Sequence, residues 1–255
     1  MKSWTRTLNV EDAHDLLALA QPGRSLVEWS RTCRAGLGHL SAARSSELVR
    51  MVRDEFLEVD SDGRIQDGLF LRAYHGASAL AQLDLVAVQW ALSHPLTCVA
   101  AEQLVAPLLD AVPSGEDAEL EVDAVEALVS AALSTTSAES RRKTRTVLLG
   151  ALEGLGVVGD RGPGVQRAVR VSRGRPHAAA FGYMLLRELA ERGLDAMLAV
   201  EAVESSLPLR LTCCGSAWAR SCLVWNLERG VLVQRQDEIR AAVSLPGLRL
   251  RRQGA

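Results

Sequence analysis

Apolar residues recur at near-helical spacing through most of the chain and switch to short β-prone runs at only a few points. Val10–Leu19 carries a helical pattern that Pro22-Gly23 stops. Ser25–Arg34 follows with Leu26, Trp29 and Cys33 on one stripe, and Gly36 and Gly38 break it. Ser41–Leu57 sets Leu48, Met51, Val52, Glu55 and Phe56 at helical spacing, with Arg44, Arg50 and Arg53 outward. Ser61-Asp62-Gly63 signals a turn. Ala77–Leu92 is apolar on nearly every side, as a buried helix is; Pro95 ends it and suits the start of a helix over Leu96–Leu109. After the loop Pro113-Ser114-Gly115, Glu116–Leu133 is predicted as an acidic helix with Val122, Val125, Leu128, Val129 and Leu133 inward. Helices are also predicted at Glu139–Leu155, His177–Glu191, Asp195–Val203 and Ser216–Glu228.

The β-prone pieces are Leu155–Val158 and Val165–Val171, with Pro163-Gly164 as a hairpin tip between them, and later Gly230–Gln234 and Ile239–Leu245. They expose an internal similarity. Leu148–Glu153 leads to Gly156-Val157-Val158, and Leu223–Glu228 leads to Gly230-Val231-Leu232. Each reads as a helix ending in Leu-Glu, a glycine cap, and then a switch of hydrophobic period from 3.6 to 2. That is the last helix and wing of a winged helix-turn-helix. The expected fold is therefore mainly α: a helical N-terminal region over 1–94, then two winged helix-turn-helix-like units with short β-hairpin wings. The first covers 95–175; the second, with a loose tail, covers 176–255.

Composition narrows the class. Apolar residues make up 48% and charged residues 24%, enough to bury a core and too hydrophobic for an intrinsically disordered chain. Lys occurs only at 2 and 143, which reads as a GC-rich coding sequence. The five Cys (33, 98, 213, 214, 222) are odd in number and form no C-x-x-C, and Met1–Glu11 lacks the apolar stretch of a signal peptide, so a reduced cytoplasm is expected. The longest uncharged run, Leu85–Ala101, has 17 residues and includes Gln89, His94 and Pro95. A spanning helix needs about 20 apolar residues, so no membrane partner is expected.

The formal net charge of −2 hides a strong asymmetry. Residues 73–140 contain ten acids and no base; residues 141–175 contain nine bases and two acids. Arg141, Arg142, Lys143 and Arg145 occupy the first turns of the helix before the first wing, the place of a recognition helix whose N-terminal part enters the major groove. Ser137 or Ser140 can cap it. Arg161 sits in the wing turn, and Arg167, Arg170, Arg173 and Arg175 decorate or follow its second strand, where they would lie along the DNA backbone or enter the minor groove. Bases at a helix N-terminus oppose the helix dipole, so this placement calls for an anionic partner. The competing reading pairs these bases with the adjacent acidic block. Within that block Glu116, Asp117, Glu119 and Asp123 are candidates for docking a basic protein.

Other chemistry is absent from the pattern. Gly154–Gly159 matches G-x-G-x-x-G but follows a helix and opens a hairpin, the reverse of a dinucleotide-binding context. The five His have no ligand-pair spacing, and no nucleophile motif or phosphate loop occurs. No cofactor, metal or catalytic residue is expected. Trp218 and Trp225, seven apart, share a helix face that is either core or, if exposed, a protein-binding patch.

Leu8–Leu19, Val27-Glu28-Trp29, Ser41–Arg44 leading into Val49–Leu57, Leu85–Ala101, and Ser140-Arg141-Arg142-Lys143 leading into Val147–Val158 together resemble the small BREX phage-defence proteins of the BrxA type. The resemblance covers most of 5–175 and extends more weakly over 176–245. It implies a mostly helical, non-catalytic protein that binds double-stranded DNA as an accessory component of an antiviral system, beside other phage-defence proteins. Only the basic helix Arg141–Arg145 carries over. The acidic stretch 116–126 and the Trp-bearing C-terminal unit depart from the pattern. A winged-helix transcriptional regulator and a structural adaptor docking through its acidic helix are the alternatives.

Overall fold

The structure, a computed structural model, describes residues 9–113, 115–159, 168–193 and 197–241. It opens with α1 (Val10–Ala18), α2 (Leu26–Gly36), α3 (Ala42–Phe56), α4 (Leu69–His75) and α5 (Ala79–Leu92). Each start has a local cause where a polar side chain caps it. The Asn9 side chain accepts from the Glu11 and Asp12 amides, Ser41 from Arg44 and Ser78 from Ala81. α4 has no counterpart among the predicted helices. Seven residues are too few for periodicity to distinguish a helix from a buried strand, yet Leu69, Phe70, Leu71 and Tyr74 are all buried.

α5 is the central post. Leu85 to Ala91 are all buried, and α1, α3, α4 and α9 (Ala138–Gly154), with α10 (Ala178–Arg192), pack around it. Its one buried amide, Gln89, is used at both ends: Nε2 donates to Glu55 O at 2.7 Å, and Oε1 accepts the Tyr183 hydroxyl. A neutral side chain on α5 thus ties α3 to α10 with no buried charge to desolvate. Phe70 links the same elements through edge contacts with Phe56 and Tyr183 at 5.4 and 5.8 Å between ring centroids. His94 packs on Trp90, and burial pushes its pKa down to about 4, so it is a neutral core histidine at pH 7.

Beyond α5, α6 (Pro95–Ala100), a π-turn over Ala101–Val105 and α7 (Ala106–Asp110) form one interrupted helix. The Ala106 amide bonds Ala101 O, five residues back. The adjacent Pro107 has no amide to continue the regular ladder, which accounts for the slip. Then come β1 (Ala118–Glu121), α8 (Val122–Ala132), α9 and β2 (Ala168–Val171). β1 pairs antiparallel with β2, Ala118 opposite Val171. On the other side of β2, Val158 bridges Val171, the Gly159 amide donates to Arg170 O, and the Ser172 amide to Val157 O.

The third segment repeats this order. α10 is followed by β3 (Leu198–Ala199), a 3-10 turn over Val200–Ser205, α11 (Leu207–Thr212), α12 (Ser216–Glu228), β4 (Leu232–Arg235) and β5 (Glu238–Ala241). The sheet order is β3-β5-β4, so here too the early strand adds to the outer edge of the last one. The two central helices end identically. Gly156 (φ +69°) and Gly230 (φ +66°) take the left-handed position, and the next amides, Val157 and Val231, bond back to Leu152 O and Asn226 O. With the caps superposed, buried Leu148, Leu149 and Leu152 coincide with buried Cys222, Leu223 and Asn226. The similarity is thus one residue out of step with the Leu-Glu match.

Two predicted helices are corrected. Residues 118–121 of the acidic helix Glu116–Leu133 are a strand: Ala118 and Leu120 point in while Glu119 and Glu121 point out, a period of two. Its helical part begins at Val122. Leu198–Ala199, inside the predicted helix Asp195–Val203, is also a strand. Both blend into a helical pattern because each runs directly into helical turn without a breaker. The predicted hairpin tip, Gly159–Gly164 apart from its first residue, and the tail from Arg249 lie outside the described residues.

One apolar cluster runs through all three segments. The two repeats also meet directly. The Gly174 amide donates to Thr212 O at 2.8 Å, and Arg210 pairs with Glu102 at 3.0 Å. No helix among the described residues is long and apolar enough to cross a membrane.

Candidate nucleic-acid interface

α9 starts where expected. Ser137, not Ser140, is the cap: its hydroxyl accepts the Ser140 amide at 3.2 Å. Thr144, Val147, Leu148, Leu149, Ala151 and Leu152 face the core, which leaves Glu139, Arg142, Lys143, Thr146 and Glu153 on the outward face. Gly150 opens the same face, since a Cβ there would meet nothing within 4 Å.

The bases on and around this face differ in role. Arg141 is half-buried and folds back to donate to Thr136 O at 2.7 Å, satisfying a carbonyl of the preceding loop. Lys143 pairs with Glu139 one turn earlier at 2.6 Å, and that hydrogen bond and charge hold the Glu139 carboxyl below its usual range. Arg145 is ion-paired with Glu126 of α8, and Arg170 of β2 with Asp117 just before β1. Arg142 and Arg175 are exposed and form no ion pair with any described residue. Arg161 and Arg167 lie outside the described residues.

Arg173 is a different case. Its guanidinium donates to Asp110 Oδ1 at 3.0 Å, to Cys213 O at 3.1 Å and more weakly to Leu109 O at 3.4 Å. It braces β2 and the end of α7 against α11 and is a structural strut, although its sequence position groups it with the wing bases.

The acidic block also divides. Asp110, Asp117 and Glu126 each hold one of the bases just named. Glu116 and Glu119 lie before and on β1, and Asp123 in the first turn of α8; all three are exposed. The candidate docking residues Glu116, Asp117, Glu119 and Asp123 therefore do not belong to one helix, as expected for 116–133, but are divided among a loop, β1 and α8. The basic and acidic blocks interleave across α8, α9 and the small sheet. Each of these pairs keeps at least one partner largely in solvent, which screens the attraction, so a phosphate can displace the carboxylate.

On the equivalent helix of the third segment, α12, the outward face is less charged. Trp218 is 39% and Val224 52% exposed, and Arg220 pairs with Glu204 at 3.3 Å. Trp225 is half-buried under the Arg229 guanidinium, 4.3 Å from its ring centroid. The core reading of the Trp pair does not hold: Ala219, Cys222, Leu223 and Asn226 make the buried stripe, and both Trp flank it.

No group of three His, Cys, Asp or Glu among the described residues is placed to hold a metal ion. The five cysteines are free thiols; burial pushes Cys33 and Cys98 up to about 11 and Cys213 and Cys222 up to about 12. Such thiols are protonated at neutral pH and unreactive. Gly154–Gly159 serves the helix end and the approach of β2.

Fold and surface together define a mainly helical protein with a few small antiparallel sheets and an interleaved acid–base surface around α9. No protein-family model, curated protein or solved structure matches the chain.

Proposed function

We propose that the chain binds double-stranded DNA without a catalytic role, through residues 95–175 acting as a winged helix-turn-helix unit. The observation that carries this reading is the outward face of α9. It presents Arg142 and Lys143 next to a capped helix N-terminus, in a chain segment whose sequence adds Arg161 and Arg167. The order helix, strand, helix, helix and antiparallel hairpin, with the first strand on the outer edge of the last, supports it. In that geometry α9 enters the major groove and the hairpin follows the backbone. Contacts of this type supply affinity more than sequence choice.

The carboxylates among these bases then act as competitors that a duplex displaces. Converting Asp117→Asn, Glu126→Gln and Glu139→Gln together frees Arg170, Arg145 and Lys143. Duplex affinity should rise about fivefold, roughly 1 kcal/mol. The same charge change placed at Glu11, Glu28 and Asp62 should do markedly less, as titration by fluorescence anisotropy would register. Equal effects from the two sets, or none from either, would mean that these bases serve only the fold.

The role as an accessory component of a BREX-like phage-defence system rests on the sequence resemblance. A methyltransferase gene and a large ATPase gene beside this one would favour it. A winged-helix regulator would instead be a symmetric dimer with one preferred operator, so a monomer with equal affinity for unrelated duplexes separates the two.

A further inference from the structure

A cleft of about 620 Å³ opens between the α4–α5 corner, the start of α10 and the end of α12. Its volume is that of a small-molecule site. Its chemistry is one-sided: Arg72, Arg229 and His177 line it, and among the described residues no Asp or Glu does. The rest is chiefly apolar, including Leu69, Leu186 and Trp225.

Arg72 and Arg229 lack the close carboxylate contact of many of the other arginines, a lack shared by the exposed Arg142 and Arg175 and by Arg187, whose Nε is also without an acceptor. Arg44, Arg53, Arg145, Arg170, Arg173, Arg192, Arg210 and Arg220 each hydrogen-bond or ion-pair with a carboxylate within 3.3 Å. Arg72 Nε approaches Asp67 Oδ2 only to 3.7 Å, beyond hydrogen-bond reach, and is buried with no acceptor. Arg229 rests on the Trp225 ring and has no carboxylate partner among the described residues. A buried donor without an acceptor costs about 1–3 kcal/mol, and a guanidinium is built to take a carboxylate or phosphate in a two-pronged contact. The nearby Asp84 does not supply one: it lies outside the lining and accepts the His177 backbone amide at 2.6 Å.

We propose that this cleft binds a small organic anion, with its carboxylate or phosphate at Arg72 and Arg229 and an aromatic or aliphatic body against Leu69, Leu186 and Trp225. Because α12 closes one side, such a ligand would tether the end of α12 to the α4–α5 corner.

The test uses matched probes on the full chain, followed by ligand-observed NMR and by thermal shift: salicylate against salicylamide, and adenosine monophosphate against adenosine. At least one anion should bind about tenfold or more tightly than its neutral partner. Arg72→Gln should collapse that preference. Arg229→Gln, at an exposed position that does not threaten folding, should reduce it independently. Equal binding of anion and neutral partner, a preference unchanged in both variants, or no binding of any probe at millimolar concentration would overturn the proposal.

Discussion

Replacing Arg142, Lys143 and Arg145 together by glutamine should weaken duplex binding about a hundredfold at low salt, at roughly 1 kcal/mol for each phosphate no longer neutralised. The slope of log affinity against log salt should shrink by about 2.7, from about 0.9 for each phosphate. The structure refines which bases belong in this set. Arg142 and Lys143 lie on the outward face of α9, and Arg145 is held in place by an exposed, displaceable Glu126. Arg141 and Arg173 are left out of the test set because each also serves the fold. Arg141 satisfies the Thr136 carbonyl and Arg173 braces the two repeats, so their removal would lower stability and confuse the measurement. Unchanged affinity with an unchanged slope would sink the assignment of α9.

The largest expected effect on stability lies at the α10–α12 crossing. Gly182 sits on α10 where a Cβ would stand 2.0 Å from Asn226 Oδ1 and 2.6 Å from its Cγ. Asn226 cannot move away cheaply. It is fully buried, and its amide donates to Ala178 O and to Cys222 O, both at 2.7 Å. Gly182→Ala should therefore cost about 3 kcal/mol through overpacking, broken hydrogen bonds or both. For a chain of this size that is a fall of roughly 6–12 °C in melting temperature. Asn226→Ala alone should also destabilise, since it removes both hydrogen bonds. In the Gly182→Ala background it should cost far less, because the clash is gone. Urea unfolding of the wild type and the three variants measures this coupling, and strict additivity would show that the contact does not set the crossing.

How much of this is legible in the sequence depends on the kind of signal. Long helices with a polar cap and an apolar stripe, such as α3 and α9, are readable because period and cap agree. The glycine caps at Gly156 and Gly230 are readable because only glycine takes positive φ freely. β1 and β3 are not. Four and two residues long, they are strands only because β2 and β5 lie beside them, and no local propensity encodes that partner. The basic cluster is visible as a run of charge, but its division into outward face, paired bases and strut is not. That division depends on Asp110, Asp117 and Cys213, which are distant in sequence from the bases they hold. The cleft beside Arg72 leaves no motif at all. Its lining comes from four separate stretches, and its signal is that none of the described residues lining the walls around two guanidiniums is a carboxylate.

The central claim, that the outward face of α9 meets the duplex, has a direct measurement. All five native thiols are buried or half-buried, and each is pushed above its ordinary range by burial, so an added surface cysteine is the one that reacts. A photo-cross-linker on Thr146→Cys, in the middle of that face, should attach to duplex DNA in a salt-sensitive manner. The same reagent on Leu80→Cys, 77% exposed at the start of α5, should not. Equal cross-linking from both positions, or none from residue 146 under conditions where the chain binds, would contradict the account.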